Sequence, residues 1–329
     1  MFRSLKTKHV EKFLNKYAPW LDFRRRLRIG GEALVCQCYD KNLETAVILR
    51  VAHIDLAETA RLRFARSCRS LYHLQTTRKS KYFPMLLHLS LDPLFCVLDW
   101  TSGTTLRKYV DSPEYSVRKN VWIFSHLLNA VEDLHALGLV HRDVKPANVI
   151  VNSHVRLIDL GLAKEPEEDE DSALTNVEYA LGSEEYSAEE QLENSVTVDF
   201  RADIPSLARI FFFLWTCGKE ARKDEEWNPK LLPKGEIRNF FLRANNPDPE
   251  DRTPTVKQLR DEFFNLLHLW GVEQPLILEI PSPAQSCYTI LDAYRDLHLE
   301  LGGNRTRLRY YTGLTLEELA LLHRSALEG

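Results

Sequence analysis

The most constraining feature of this 329-residue sequence is a loop from His141 to Asn148, reading HRDVKPAN, followed by Ile158 to Gly161, reading IDLG. The two segments combine chemically specific side chains at fixed spacings and in a fixed order. A single Asp in a loop is usually a turn residue. Asp143, Asn148 and Asp159 together, in this order and at these spacings, indicate a functional site instead.

At these residues the chain resembles the eukaryotic-like Ser/Thr protein kinases, and the resemblance extends over about Leu27 to Leu267. It implies an α+β, bilobal protein kinase fold with a small β-rich N-lobe and a larger helical C-lobe. It also implies a transferase that moves the γ-phosphoryl group of ATP, with Mg²⁺, to Ser or Thr hydroxyls of a protein substrate. Phosphoryl transfer needs mostly positioning and charge neutralisation from the protein.

The resemblance assigns a role to each residue of the loop. Asp143 would accept or orient the proton of the incoming hydroxyl, and Lys145 would neutralise charge on the transferred group. A Lys two residues after the Asp is typical of the Ser/Thr branch. Asn148 and Asp159 are implied as Mg²⁺ ligands.

The resemblance also implies nucleotide-binding residues in the N-terminal part of the chain. Alignment on Val35 leaves only the middle glycine of the phosphate-covering loop, Gly30, and the pair Gly30 and Gly31 fits a hairpin turn equally well. At the lobe junction, the backbones of Asp99 and Thr101 are expected to face the adenine edge.

The strongest departure from the family pattern is Arg50, which stands where the family has a Lys that binds the α and β phosphates. Arg is longer and planar, so the exchange is not conservative at a tight site. The expected partner Glu is also missing from Ala65 to Ser70, and Glu58 lies much nearer the helix start. Two interpretations stay open: a divergent kinase that uses Arg50, or a pseudokinase that acts as a nucleotide-binding or scaffolding module.

Further residues agree with the scaffold of the large lobe. Glu190 is expected to pair with Arg252, and Asp203 is expected to be structural and not catalytic. Ser183 stands where the family has a Ser or Thr that touches the catalytic Asp. The acidic run 165–171 and three nearby hydroxyls suggest two modes of regulation, by fixed carboxylates or by phosphorylation; those hydroxyls are Ser172, Thr175 and Tyr179.

The patterns divide the chain into four parts. Residues 1–26 form an amphipathic and basic extension, 27–101 the N-lobe, 102–270 the C-lobe, and 271–329 a C-terminal extension with two helical patterns. The first helix is expected to pack on its own domain. Either extension is a candidate for binding a regulatory partner.

Composition narrows the class of protein. The net charge of -4 gives no general attraction to nucleic acid, and the six cysteines show no metal-ligand spacing. No apolar run approaches the roughly 20 residues of a membrane-spanning helix. These observations predict a cytoplasmic protein with no transmembrane segment and no nucleic-acid partner.

Overall fold

The computed structural model describes residues 7–29, 33–53, 58–161, 163, 185–193, 198–218 and 227–270. Several predictions lie outside the described residues: those on Gly30 and Gly31, the acidic run and its hydroxyls, Ser183 and the extension 271–329. Within the described part, residues 7–75 and 84–100 form one unit, and residues 76–83 with 101–270 form a second.

The first unit is an antiparallel sheet of five strands in the order β1-β2-β3-β5-β4, with two helices. Strands β1 and β2, β2 and β3, and β4 and β5 pair as hairpins, and β3 pairs with β5 across the connection that holds the second helix. The elements of this unit are α1 Thr7–Tyr17, β1 Leu21–Ile29, β2 Ala33–Asp40, β3 Thr45–Ala52, α2 Glu58–Thr76, β4 Leu86–Leu91 and β5 Leu94–Asp99.

Helix α1 covers one face of this sheet. Val10 and Leu14 are four residues apart, so they share one face of the helix, and both are buried against Val47 and Leu49 of β3. The intervening lysines are exposed to solvent. The prediction that the amphipathic helix packs on its own domain is therefore confirmed.

Strand β1 starts earlier than the sequence suggested. The N-lobe, and with it the sheet, was predicted to begin at Leu27, whereas β1 begins at Leu21. The strand therefore contains the four arginines of this region, Arg24, Arg25, Arg26 and Arg28. The arginine side chains lie along the sheet surface: Arg24 stacks on the Tyr39 ring at 5.1 Å, and Arg25 Nε donates to Gln37 Oε1 at 2.7 Å. The long aliphatic stems allow charged residues to occupy this edge strand.

The second unit is predominantly helical and contains a three-stranded sheet in the order β6-β7-β8. Short 3₁₀ turns lie at Pro146–Asn148, Phe200–Ala202, Pro229–Leu231, Pro249–Asp251 and Leu267–Trp270. The regular elements are β6 Thr104–Thr105, α3 Leu106–Tyr109, α4 Val117–His135, β7 Val149–Val151, β8 Val155–Leu157, α5 Glu189–Glu193, α6 Asp203–Trp215, α7 Glu236–Ala244 and α8 Val256–Asn265.

An aromatic cluster forms the centre of the helical core. The Phe124 ring of α4 lies 5.5 Å from Phe211 of α6 and 4.8 Å from Phe263 of α8. Phe240 of α7 contacts Phe211 at 4.9 Å. Such tilted and edge-to-face pairs stabilise a core beyond the area that they bury. This packing fixes α4 and α6, the helices that flank the loop 141–148.

Candidate active site

The loop 141–148 is anchored by a buried carboxylate at the start of α6. Asp203 accepts hydrogen bonds from the amides of His141 and Arg142, each at 2.8 Å. His135 at the end of α4 lies 2.8 Å from the same carboxylate through its Nε2. These contacts and its partners' charge hold the pKa of Asp203 below its ordinary value, although burial opposes that shift. The predicted structural role of Asp203 agrees with this position.

Arg142 is held in a strained backbone conformation. Its φ is 69°, in the left-handed region that a bulky side chain rarely adopts. Such a residue costs about 1–3 kcal/mol and persists only where its surroundings impose it. The Asp203 carboxylate binds its amide, and Gln191 Nε2 donates to its carbonyl at 2.8 Å. The turn therefore directs the next residue, Asp143, away from the anchor.

Two neighbours hold the Asp143 carboxylate. Lys145 Nζ lies 2.8 Å from Oδ1 and 2.6 Å from Oδ2. Asn148 Nδ2 donates to Oδ2 at 2.8 Å and to the Asp143 carbonyl at 2.9 Å. An ammonium and an amide therefore both donate hydrogen bonds to this carboxylate. These contacts fix the orientation of the carboxylate and place a cation beside it.

Asn148 and Asp159 meet at one end of the β7–β8 hairpin. Val149 pairs with Leu157, and the Ile158 amide donates to the Asn148 carbonyl at 2.8 Å. Asp159 also has a positive φ, 73°, and its Oδ1 accepts the Gly161 amide at 3.3 Å. Register and turn geometry thus bring two oxygen-bearing side chains to the same end of the hairpin.

The donor set at this end suits a hard cation. Asn148 donates from its amide nitrogen to Asp143, so its Oδ1 is the atom that can serve as a metal ligand, and Asp159 supplies a carboxylate. Within the described ranges, no three His, Cys, Asp or Glu residues cluster closely enough to hold a metal. Mg²⁺ needs no such cage, because it keeps several waters and is completed by substrate phosphates. The residues present therefore fit a nucleotide-bound Mg²⁺.

His141 supports the loop from inside. It is fully buried, and burial lowers its pKa below the ordinary value, although the charges of Asp203 and Asp143 oppose that shift. Its Nδ1 accepts the Asp143 amide at 3.2 Å. A neutral ring with Nδ1 as acceptor fixes the tautomer, since the proton must then lie on Nε2.

The predicted pair between Glu190 and Arg252 forms as expected. Arg252 Nη1 donates to Glu190 Oε1 at 2.7 Å and Nη2 to Oε2 at 3.2 Å. The guanidinium also donates to three carbonyls, of Asn246, Arg201 and Pro247. The Arg252 side chain is 1% exposed and that of Glu190 is 27% exposed, so this two-bond pair joins α5 to the turn before α8 through a buried guanidinium.

In the first unit the structure brings Val35 and Arg50 together. They are directly opposite in the β2–β3 ladder and therefore share a sheet face. The Arg50 guanidinium lies 5.2 Å from the centre of the Phe64 ring on α2. Asp99 lies at the end of β5. Its amide donates to the Met85 carbonyl at 3.0 Å, and its Oδ1 accepts the Met85 amide at 2.6 Å, so these two bonds fix the orientation of the Asp99 peptide group.

Thr101 belongs to the second unit and is fixed through its side chain. Its Oγ1 accepts a hydrogen bond from Arg156 Nη1 at 3.1 Å. Sequence reasoning did not identify Arg156, nor His135 and Gln191 as supports of the loop. No local motif marks these residues, because their roles depend on helices that are distant along the chain.

Residues 25–269 match the protein kinase domain family. The chain belongs to the protein kinase family. It is 30% identical to the serine/threonine-protein kinase PknB of Mycolicibacterium smegmatis over 77% of this chain and 44% of that protein. It is 28% identical to the serine/threonine-protein kinase pkn3 of Myxococcus xanthus over 71% of this chain and 47% of that protein.

The fold agrees with this membership, since the first unit is an antiparallel sheet with helices and the second is mostly helical. The chain spans less than half the length of these two relatives. Across the described residues, no helix is long and apolar enough to cross a membrane.

Proposed function

We propose that this kinase-family chain transfers the γ-phosphoryl group of ATP to Ser or Thr hydroxyls of protein substrates. The observation that carries the proposal is the Asp143 carboxylate, oriented by Lys145 and Asn148 at 2.6–2.9 Å. The names of the relatives, serine/threonine-protein kinases, support the same substrate class. A scaffold without transfer chemistry would have no need of a base and a cation in this arrangement.

In the proposed reaction Asp143 accepts the proton of the attacking hydroxyl. The hydroxyl oxygen forms a bond to the γ-phosphorus, and the bond from that phosphorus to the bridging oxygen of ADP breaks. Lys145 is within reach of both Asp143 and the incoming group, so its charge can shift toward the phosphoryl oxygens as negative charge develops there. Asn148 keeps the carboxylate oriented during this step.

Asn148 and Asp159 would hold Mg²⁺. When bound, Mg²⁺ supplies charge neutralisation to the phosphates. On the first unit, Val35 and Arg50 would contact the nucleotide, Val35 through apolar contact and Arg50 through its positive charge. The backbones of Asp99 and Thr101 are proposed to bind the adenine edge, and Gly30 and Gly31 the phosphates.

The decisive experiment is transfer from labelled ATP with Mg²⁺ to the protein itself and to a generic basic protein substrate. Asp143→Asn should reduce transfer by roughly 10²–10⁴-fold, the usual contribution of a positioned base. Asp261→Asn, at an exposed position of α8, is the matched control and should transfer like the wild type. Phosphoamino-acid analysis should find phosphoserine or phosphothreonine.

Arg50→Lys adds a second arm to this experiment. If wild type is active and Arg50→Lys changes the KM for ATP, Arg50 serves as a nucleotide-binding residue. A silent wild type that Arg50→Lys restores, or silence in every variant, would replace the proposal with a nucleotide-binding or scaffolding role. Thermal stabilisation by ATP would distinguish these two roles, because a nucleotide-binding protein should be stabilised by ATP in a manner that requires Mg²⁺, whereas a scaffold without a nucleotide site should not.

A further inference from the structure

Two buried thiols lie beside Arg50. Cys68 is on α2 and Cys96 on β5, each side chain is 0% exposed, and the two thiols are hydrogen-bonded to each other. Cys96 is directly opposite Arg50 in the β3–β5 ladder, so both side chains leave the same sheet face. Cys68 follows Phe64, the residue under the Arg50 guanidinium, by one helical turn.

The four buried thiols of this unit differ in electrostatic environment. Burial would raise the pKa of Cys96, but the hydrogen bond with Cys68 and the charge of Arg50 lower it below the ordinary value. Burial raises the pKa of Cys36 to about 11 and that of Cys38 to about 12. The hydrogen bond with Cys96 and burial raise the pKa of Cys68 well above its ordinary value. Thiolate is the reactive form, so Cys96 is the thiol among these four that is favoured to attack an oxidant.

We propose that Cys68 and Cys96 form an oxidisable pair whose disulfide ties helix α2 to strand β5 beside Arg50. The oxidant is a small hydroperoxide such as hydrogen peroxide. Local opening of α2 from the sheet admits it, since helices of a fold open more readily than the whole molecule. Cys36 and Cys38 cannot form such a disulfide. They are two residues apart on strand β2, so their side chains project in parallel from the same face and their sulfur atoms do not come into contact.

The chemistry balances within the pair. The Cys96 thiolate attacks one peroxide oxygen, which gives a sulfenic acid and releases hydroxide. The Cys68 sulfur then attacks the Cys96 sulfur, the S–S bond forms, and the sulfenic oxygen leaves as hydroxide. The two thiol protons convert both hydroxides to water. Two thiols lose two electrons, and hydrogen peroxide gains them to become two waters.

The disulfide changes the surroundings of Arg50. The thiol pair can carry a negative charge next to the guanidinium, whereas a disulfide cannot. Oxidation also fixes α2 to the sheet at that point. The effect on ATP rests on the proposed function: if Arg50 binds the nucleotide, the oxidised and reduced proteins should differ about tenfold in ATP affinity, the change expected when the guanidinium gains or loses one charge-assisted contact.

Peptide mapping of the native full-length protein tests the pair directly. After hydrogen peroxide treatment and alkylation, non-reducing tryptic digestion should give the tripeptide 67–69 linked to peptide 82–107, and dithiothreitol should remove the link. Peptide 29–41, which contains Cys36 and Cys38, should stay fully alkylated under denaturing conditions. Oxidation of peptide 210–219, with the exposed Cys217, shows that the reagent is active.

The inference is wrong if Cys68 and Cys96 stay reduced while Cys217 is oxidised, or if the link appears only in urea. Cys96→Ala removes the thiol that attacks the peroxide, so its ATP affinity should not change on peroxide treatment. ATP titration of the reduced protein separates the two proposals. If the disulfide forms but the reduced protein does not bind ATP, the oxidisable pair is supported and the proposed function is wrong. If the reduced protein binds ATP but the disulfide does not form, the proposed function is supported and the oxidisable pair is wrong.

Discussion

The Asp203 carboxylate binds the Arg142 amide at 2.8 Å and holds that residue at a φ of 69°. A buried carboxylate thus sustains a strained turn directly before Asp143. The strain is local, but its support comes from a helix about sixty residues further along the chain. This relationship makes stability and catalytic geometry depend on the same side chain.

Asp203→Asn should therefore reduce both properties. The amide nitrogen would face a backbone donor, and the buried carboxylate contacted by His135 and by the His141 and Arg142 amides would be lost, which should cost roughly 3 kcal/mol of unfolding free energy. Urea denaturation measures this loss, and phosphate transfer should fall as well. Asp199→Asn, an exposed cap of the neighbouring 3₁₀ turn, is the control and should cost under about 1 kcal/mol. Equal effects in the two variants would contradict the anchoring role.

The Arg252 fork provides a second comparison. Arg252→Lys should lose about 3 kcal/mol of stability, because an ammonium cannot replace five guanidinium contacts at a buried site. Arg243→Lys alters a similar pair, in which both bonds reach Glu262, but that side chain is 53% exposed. It should cost under about 1 kcal/mol. A large loss of stability in Arg243→Lys would show that the difference in burial does not determine how much each ion pair contributes to stability.

Helix α1 should contribute to folding. Leu14 is 2% exposed against the sheet, so Leu14→Ala should destabilise the protein by about 2–5 kcal/mol. Leu62 of α2 is 50% exposed, and Leu62→Ala should change stability by less than about 1 kcal/mol. Chemical denaturation followed by circular dichroism measures both variants. A neutral Leu14→Ala would mean that α1 rests on the sheet without stabilising it.

His88 should give the protein a pH-dependent stability. It packs between Trp20 and Phe95, and burial lowers its pKa from 6.5 to about 4. The unfolded chain then binds more protons than the folded protein between these values. Stability should fall as pH drops from 6.5 to 4, by up to about 3 kcal/mol from this group.

The variant His88→Phe keeps the aromatic contacts without the titration. Its unfolding free energy relative to wild type should therefore improve steadily as pH falls through this window. The other histidines are common to both proteins and cancel in the difference. A difference that stays constant from pH 6.5 to 4 would show that His88 titrates alike in the folded and unfolded chains.

Asn148→Ala removes both an orienting amide and a candidate Mg²⁺ ligand. Transfer should fall by about 10²–10³-fold, and the Mg²⁺ concentration needed for half-maximal rate should rise. Asn152→Ala, in the β7–β8 turn, is the control and should keep the wild-type Mg²⁺ dependence. An unchanged Mg²⁺ requirement in Asn148→Ala would restrict Asn148 to positioning Asp143.

Much of the second unit was predictable from sequence. The kinase resemblance anticipated the pairing of Glu190 with Arg252, which the structure forms. Apolar periodicity and short motifs report only on local structure. The pairing of two distant residues was predictable here because the family resemblance relates their positions. The kinase resemblance supplied the roles of Asp143 and Asn148, which periodicity alone could not provide.

Other features lacked a local signal. Strand β1 was placed too late because its run of arginines hides the alternation that Leu21 and Phe23 begin. His135 and Gln191 act on the loop from separate helices, so their roles depend on tertiary packing. The meeting of Cys68 and Cys96 depends on the register of β5 and the rotation of α2, neither of which the sequence spacing reveals.

Helix α1 lies outside the region that matches the kinase family but inside the region that packs on the sheet. The match to the kinase family begins at residue 25, inside β1, whereas the apolar layer over Val47 and Leu49 begins at Val10. Cutting the chain where the homology starts would remove the cover of one sheet face and bring buried side chains into water. The region that matches the family is therefore shorter than the region that packs together, and a protein trimmed at residue 25 would be expected to aggregate through the uncovered sheet face.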